Sequence, residues 1–118
     1  MIEAVKTFLG KIKDQEHVLL LIHQTDMQVN LHCNQQTIQL IIKNGGIIIL
    51  QNPEAQPAKN EISGSRTAMK HLLEGTQRLR VLEQQGLLKV SASLRTTLLL
   101  ESIFFLTKAK NHQLAKII

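Results

Sequence analysis

The run from Leu94 to Leu106 limits the architecture more than any other part of the chain. After Arg95, Thr96 and Thr97 it continues Leu98, Leu99, Leu100, Ile103, Phe104, Phe105 and Leu106, broken only by Glu101 and Ser102. A helix packed on one side needs an apolar stripe of roughly 100°. This segment is apolar almost all the way round, in a chain of 118 residues that is too short to hide a helix inside a large interior. Something must cover the surplus face. The candidates are a second layer of the same domain, a partner subunit or an apolar ligand.

The length fits a single domain, 1–118, with one core and no separate catalytic module. Three Phe, no Tyr and no Trp leave no stacking platform for bases or sugars, so the apolar mass is chemically blank Leu, Ile and Val. The net charge is +5, but Lys6, Lys11 and Lys13 sit beside Glu3, Asp14 and Glu16. Arg66, Lys70, Arg78 and Arg80 are likewise interleaved with Glu74 and Glu83. Only the tail bearing Lys108, Lys110 and Lys116 is purely basic. Such a balance suits weak attraction to an anionic membrane surface rather than nucleic acid, for which no basic stripe or reading helix is present. Cys33 is single and shares strand parity with Val29 and Leu31, which makes it a small buried hydrophobe. No signal peptide is recognisable and no stretch reaches the roughly 18 apolar residues of a membrane span, so a cytoplasmic location is the default expectation.

Residues 2–12 place Ile2, Val5, Phe8, Leu9 and Ile12 at helical spacing. The run Val18-Leu19-Leu20-Leu21-Ile22 within His17–Gln24 reads as an apolar strand. Residues 27–34 then alternate, with Met27, Val29, Leu31 and Cys33 on one face and Gln28, Asn30, His32 and Asn34 on a solvated one. Ile38, Leu40 and Ile42 share a face of the next strand, Asn44-Gly45 signals a hairpin turn, and Ile47–Leu50 returns apolar on both faces. A loop with two prolines follows. A short strand from about Lys59 to Ser63 comes next, and Ser63 or Ser65 caps a helix over 66–74 that Gly75 stops. Thr76 is placed to cap a second short helix with Leu79 and Leu82, closed by Gly86. Leu87–Ser91 is the last strand before the long helix. These elements define an α+β fold, a mainly antiparallel sheet of five or six strands covered by helices.

The second half carries a resemblance. Ala58-Lys59-Asn60-Glu61-Ile62-Ser63 leads to a helix ending Leu72-Leu73-Glu74-Gly75. A short helix then feeds Gly86-Leu87-Leu88-Lys89-Val90 and a Leu/Phe-rich helix. This series resembles the sterol carrier protein type-two domain, at the level of motifs from roughly Ala58 to Leu106 and in element order over nearly the whole chain. The resemblance implies helices over a mostly antiparallel sheet, an elongated apolar tunnel between them, and binding of sterols, fatty acids, acyl-CoA or phospholipids.

On that reading the tunnel is lined by Met69, Leu72, Leu73 and Leu82 of the middle helices. Leu98, Leu99, Phe105 and Leu106 come from the last helix, and Val29, Leu31 and Leu40 form the floor. Arg66, Lys70, Arg78 and Arg80 are the candidate cluster for an anionic head group. No catalytic residue, metal ligand or cofactor is expected. His17, His23, His32, His71 and His112 lack ligand spacing, although His23 and His32 are placed as a cross-strand pair. The expected partners are an apolar lipid, a transient anionic membrane surface and a second copy of the chain. The alternative is a structural or regulatory homo-oligomer of the same fold that uses the 94–106 helix as its interface and holds no ligand.

Overall fold

The computed structural model describes residues 1–52 and 59–107. The proline loop beyond Asn52 and the basic tail with Lys108, Lys110, Lys116 and His112 lie outside the described residues. Along the chain run α1 (Ile2–Ile12), α2 (Glu16–His23), β1 (Met27–Cys33), β2 (Gln36–Lys43), β3 (Gly46–Gln51) and β4 (Asn60–Gly64). Then come α3 (Arg66–Glu74), α4 (Leu79–Gln84), β5 (Leu88–Ser91) and α5 (Leu94–Leu106). The strands form a five-stranded sheet in the order β3-β2-β1-β4-β5. All pairs are antiparallel except β1 with β4.

The expected strand over His17–Gln24 is a helix. Five consecutive apolar residues carry no period by which to separate strand from helix. Burial shows the period in three dimensions: Val18 and Ile22, one helical turn apart, are fully buried while Leu20 is 63% exposed. This change leaves five strands. The helix α3 starts on Ser65, whose side chain accepts from the Ala68 N–H at 3.1 Å, and ends on Gly75 in the left-handed conformation at φ 71°. Thr76 does not cap α4. Its hydroxyl donates back to the His71 carbonyl at 3.2 Å, and the N-cap position of α4 is Arg78, without a side-chain bond.

The β2–β3 turn has positive φ at both Asn44 and Gly45 (53° and 79°), the conformation a two-residue hairpin of this hand requires. Gly45 is fixed a second way. A Cβ there would lie 2.4 Å from a carbon of the His23 ring, so the turn is packed directly against the end of α2.

One face of the sheet meets the helices. Val29, Leu31, Ile38, Leu40, Ile42 and Ile62 share a single buried cluster with residues of all five helices. Phe8 of α1 and Phe104 of α5 are in ring contact within it, their centroids 5.0 Å apart. The other face is not the simple solvated side the alternation predicts. Asn30 and Gln39, register partners on β1 and β2, are both buried, and the Gln39 amide donates to the Asn30 side-chain oxygen at 3.0 Å. Mutual hydrogen bonding is what makes burial of two amides tolerable.

Candidate functional site

The residues expected to line a tunnel separate into groups. Val29, Leu31, Leu40, Leu72 and Leu82 are wholly buried and pack against one another in the core cluster. Met69 and Leu73 are also buried, but they form the floor of a groove of about 300 Å³ between α1 and α3. Met1 and Ala4 complete its apolar wall, and Arg66, Lys70, Glu3 and Glu74 stand at its sides. The i and i+4 positions of α3 put both cations on the exposed face above the buried Met69 and Leu73.

Leu99 belongs to a different opening. A cleft of about 750 Å³ lies between the turn from α2 into β1 (Gln24 to Gln28), the start of β4 (Lys59, Asn60) and the first turns of α5 (Ser93, Thr96, Leu99). Its lining is largely polar, with Met27 and Leu99 as the apolar members. Leu98 and Leu106 point away from both spaces and are 42% and 44% exposed.

The four basic residues are not brought together. Arg66 and Lys70 flank the α1–α3 groove. Arg78 instead stacks on Phe105, its guanidinium carbon 4.5 Å from the ring centroid. The backbone N–H of Arg80 donates to the Glu101 carboxylate at 3.0 Å. These two contacts, one through the Arg78 side chain and one through the Arg80 backbone, tie the start of α4 to α5.

The other face of the sheet carries a polar chain that the sequence did not disclose. His32 Nε2 lies 2.6 Å from the Glu61 carboxylate, and His32 Nδ1 lies 2.9 Å from the Thr37 hydroxyl. His32 therefore pairs with β4 and β2. The expected partner, His23, ends α2 and packs against the β2–β3 turn. The available signal was parity, since His32 shares its face with Thr37 and is one strand from Glu61. The strand order needed to use that signal is a tertiary fact. A histidine between a hydroxyl and a carboxylate has the connectivity of a nucleophilic triad. The hollow beside Thr37 measures about 70 Å³, however, well under the roughly 300 Å³ at which sites for organic ligands begin. The chain of bonds links β1, β2 and β4.

No protein-family model and no curated protein sequence matches the chain. Solved structures do match its fold. A sterol carrier protein domain 2 of Helicoverpa armigera aligns with a TM-score of 0.69 at 12% identity, over 86% of this chain and 83% of its own. Sterol carrier protein 2 from Yarrowia lipolytica, in its apo form, aligns at 0.62 and 16% identity over 92% and 89%. A ubiquinone synthesis protein described as UbiJ-SCP2 aligns at 0.62 and 14% identity over 86% and 82%. The fold is therefore that of the sterol carrier protein 2 domain, as the series from Ala58 to Leu106 implied. No described helix is long and apolar enough to cross a membrane.

Proposed function

We propose that the chain binds or carries an apolar lipid (a fatty acid, acyl-CoA, phospholipid or sterol-like molecule) without catalysing a reaction on it. One observation carries this reading beyond the fold. At the α1–α3 groove an apolar floor, Met69 and Leu73, lies beneath two cations, Arg66 and Lys70. A lipid needs that combination, apolar area for its chain and a cation for a carboxylate or phosphate. Burying a chain is worth about 0.8 kcal/mol per methylene, so eight methylenes supply roughly 6 kcal/mol before the costs of binding. The groove lies at the lower end of ordinary ligand volumes. A long chain therefore enters by displacing side chains beyond Met69 and Leu73, toward Leu72 and the sheet residues Val29, Leu31 and Leu40. Met69, with its unbranched and adaptable thioether, is suited to yield.

Native mass spectrometry of protein purified without added lipid tests the reading. A retained mass of a fatty acid or phospholipid is expected, and an empty species that also refuses labelled fatty acid would overturn it. Met69→Trp should reduce uptake several-fold with the fold intact, whereas Leu99→Trp, in the polar cleft, should leave it unchanged. The reverse pattern would move the site to the cleft.

A second reading rests on the outer face of α5. Leu94, Leu98 and Leu106 are 60%, 42% and 44% exposed there, and a ligand-free homo-oligomer closed through this helix would cover them.

A further inference from the structure

The two edges of the sheet are built differently. The edge strand β5 has four residues, with Lys89 exposed in its interior. Brevity and an exposed lysine are what keep a free edge from pairing with another chain. The opposite edge, β3, has six residues, Gly46–Gln51, with no charge and no proline. Its register with β2 runs unbroken from Lys43↔Gly46 to Ile38↔Gln51, so no bulge turns it aside. Among the described residues no strand pairs with its outer side. Ile48 is 59% and Leu50 43% exposed on the face away from the helices, beside Ile41.

The register also tells which backbone groups are free. A two-residue turn makes Lys43↔Gly46 the hydrogen-bonded pair that closes the hairpin. Alternation then assigns the same role to Ile41↔Ile48 and Gln39↔Leu50. The Asn52 N–H continues the series, donating to the Thr37 carbonyl at 2.6 Å. The amides and carbonyls of Ile47, Ile49 and Gln51 consequently face outward.

We propose that β3 pairs antiparallel with β3 of a second copy of this chain, about a two-fold axis at Ile49, to give one continuous sheet. In this register the two Ile49 residues exchange both backbone hydrogen bonds, and Ile47 of each copy pairs with Gln51 of the other. Ile48 of one copy then stands opposite Leu50 of the other on the outer face, where with Ile41 they form a shared apolar strip. A second copy fits this edge because the register makes it complementary to itself: about Ile49 each outward amide and carbonyl meets its own counterpart, and Ile48 meets Leu50. This one does so without electrostatic cost: residues 44–52 carry no charge although the chain carries +5. The interface is independent of the lipid reading, since it uses neither α1, α3 nor α5.

Analytical ultracentrifugation over a wide concentration range tests it. The wild type should be dimeric at micromolar concentrations. Ile49→Pro removes an outward N–H and leaves the β2 ladder intact, and Ile48→Lys adds a charge at the seam. Both variants should be monomeric with an unchanged circular dichroism spectrum, while Leu98→Lys on α5 should remain dimeric. Should Ile49→Pro fail to fold, the double variant Ile48→Cys/Leu50→Cys supplies the test. On oxidation it should form an inter-chain disulfide, because those positions face each other across the seam. A wild type monomeric throughout the micromolar range, a dimer that survives Ile48→Lys, a dimer lost with Leu98→Lys, or a double-cysteine variant that does not cross-link would each overturn the proposal.

Discussion

The helices α3 and α5 begin alike and end in different surroundings. Both start on a serine in extended conformation, Ser65 and Ser93, whose hydroxyl accepts the N–H three residues on at 3.1 Å. Both bury one face, Ala68, Met69, Leu72 and Leu73 in one case and Thr97, Leu100, Ile103 and Phe104 in the other. Their outer faces differ. That of α3 carries Arg66, Lys70 and Glu74, whereas that of α5 carries Leu94, Leu98 and Leu106. The more hydrophobic helix is thus not the more deeply buried one. Its surplus is on the side away from the core, and the groove with the composition of a lipid site belongs to the amphipathic helix. Total hydrophobicity is a poor guide to burial, because position around the helix decides it.

The largest effect should show that the inner faces are equivalent. Leu72 and Leu100 are both essentially inaccessible. Truncating either to alanine removes the same methyl groups and leaves a cavity, at a cost of about 2–5 kcal/mol. Urea unfolding of Leu72→Ala and Leu100→Ala should give losses in that range for both. A loss below about 1 kcal/mol for Leu100→Ala alone would mean that α5 adjusts around the gap, and the symmetry between the helices would be broken.

These inner faces were largely legible in the sequence, and the reasons are local. The spacing of Ile2, Val5, Phe8 and Ile12 defined α1, and Gly75 with Ser63 or Ser65 bounded α3, the cap being Ser65. Asn44-Gly45 located the hairpin because few residues tolerate its dihedrals. Legibility failed where the deciding information was not local. Val18–Ile22 is uniformly apolar, and Gln15 ahead of it makes no side-chain cap bond, so neither period nor start signal marked α2 as a helix. The His32–Glu61 pair depends on strand order, through a parallel β1–β4 contact between segments distant in sequence, and the Asn30–Gln39 pair on the register of β1 against β2. For the candidate site, Met69, Leu73, Arg66 and Lys70 came together because one helix sets their spacing. Arg78 and Arg80 do not line that groove: the Arg78 guanidinium stacks on Phe105, and the Arg80 backbone N–H donates to the Glu101 carboxylate.

A smaller effect probes the shared starts. Removing an N-cap hydroxyl costs about 1 kcal/mol, because one orphan helix N–H loses its partner. Ser65→Ala and Ser93→Ala should each lose about that amount by thermal or urea unfolding. The Ser93 hydroxyl also donates to Thr96 Oγ1 at 3.0 Å, a surface bond that adds little. A markedly larger loss at Ser93 would show that the start of α5 is coupled to the cleft beside it, which Ser93 and Thr96 line.

The smallest effect is the most informative about the outer faces. A leucine that rests in water contributes little when replaced, so Leu98→Ser should change the stability to urea by no more than about 0.5 kcal/mol. The result should not depend on protein concentration, because the β3 seam lies elsewhere. Were α5 instead covered by a second copy, the same substitution would expose a serine hydroxyl in a dry interface. It would then destabilise the assembly by an amount that shrinks on dilution as the wild type also dissociates. A loss of more than about 2 kcal/mol, present at high concentration and absent at low, would therefore place the partner on α5 and not on β3.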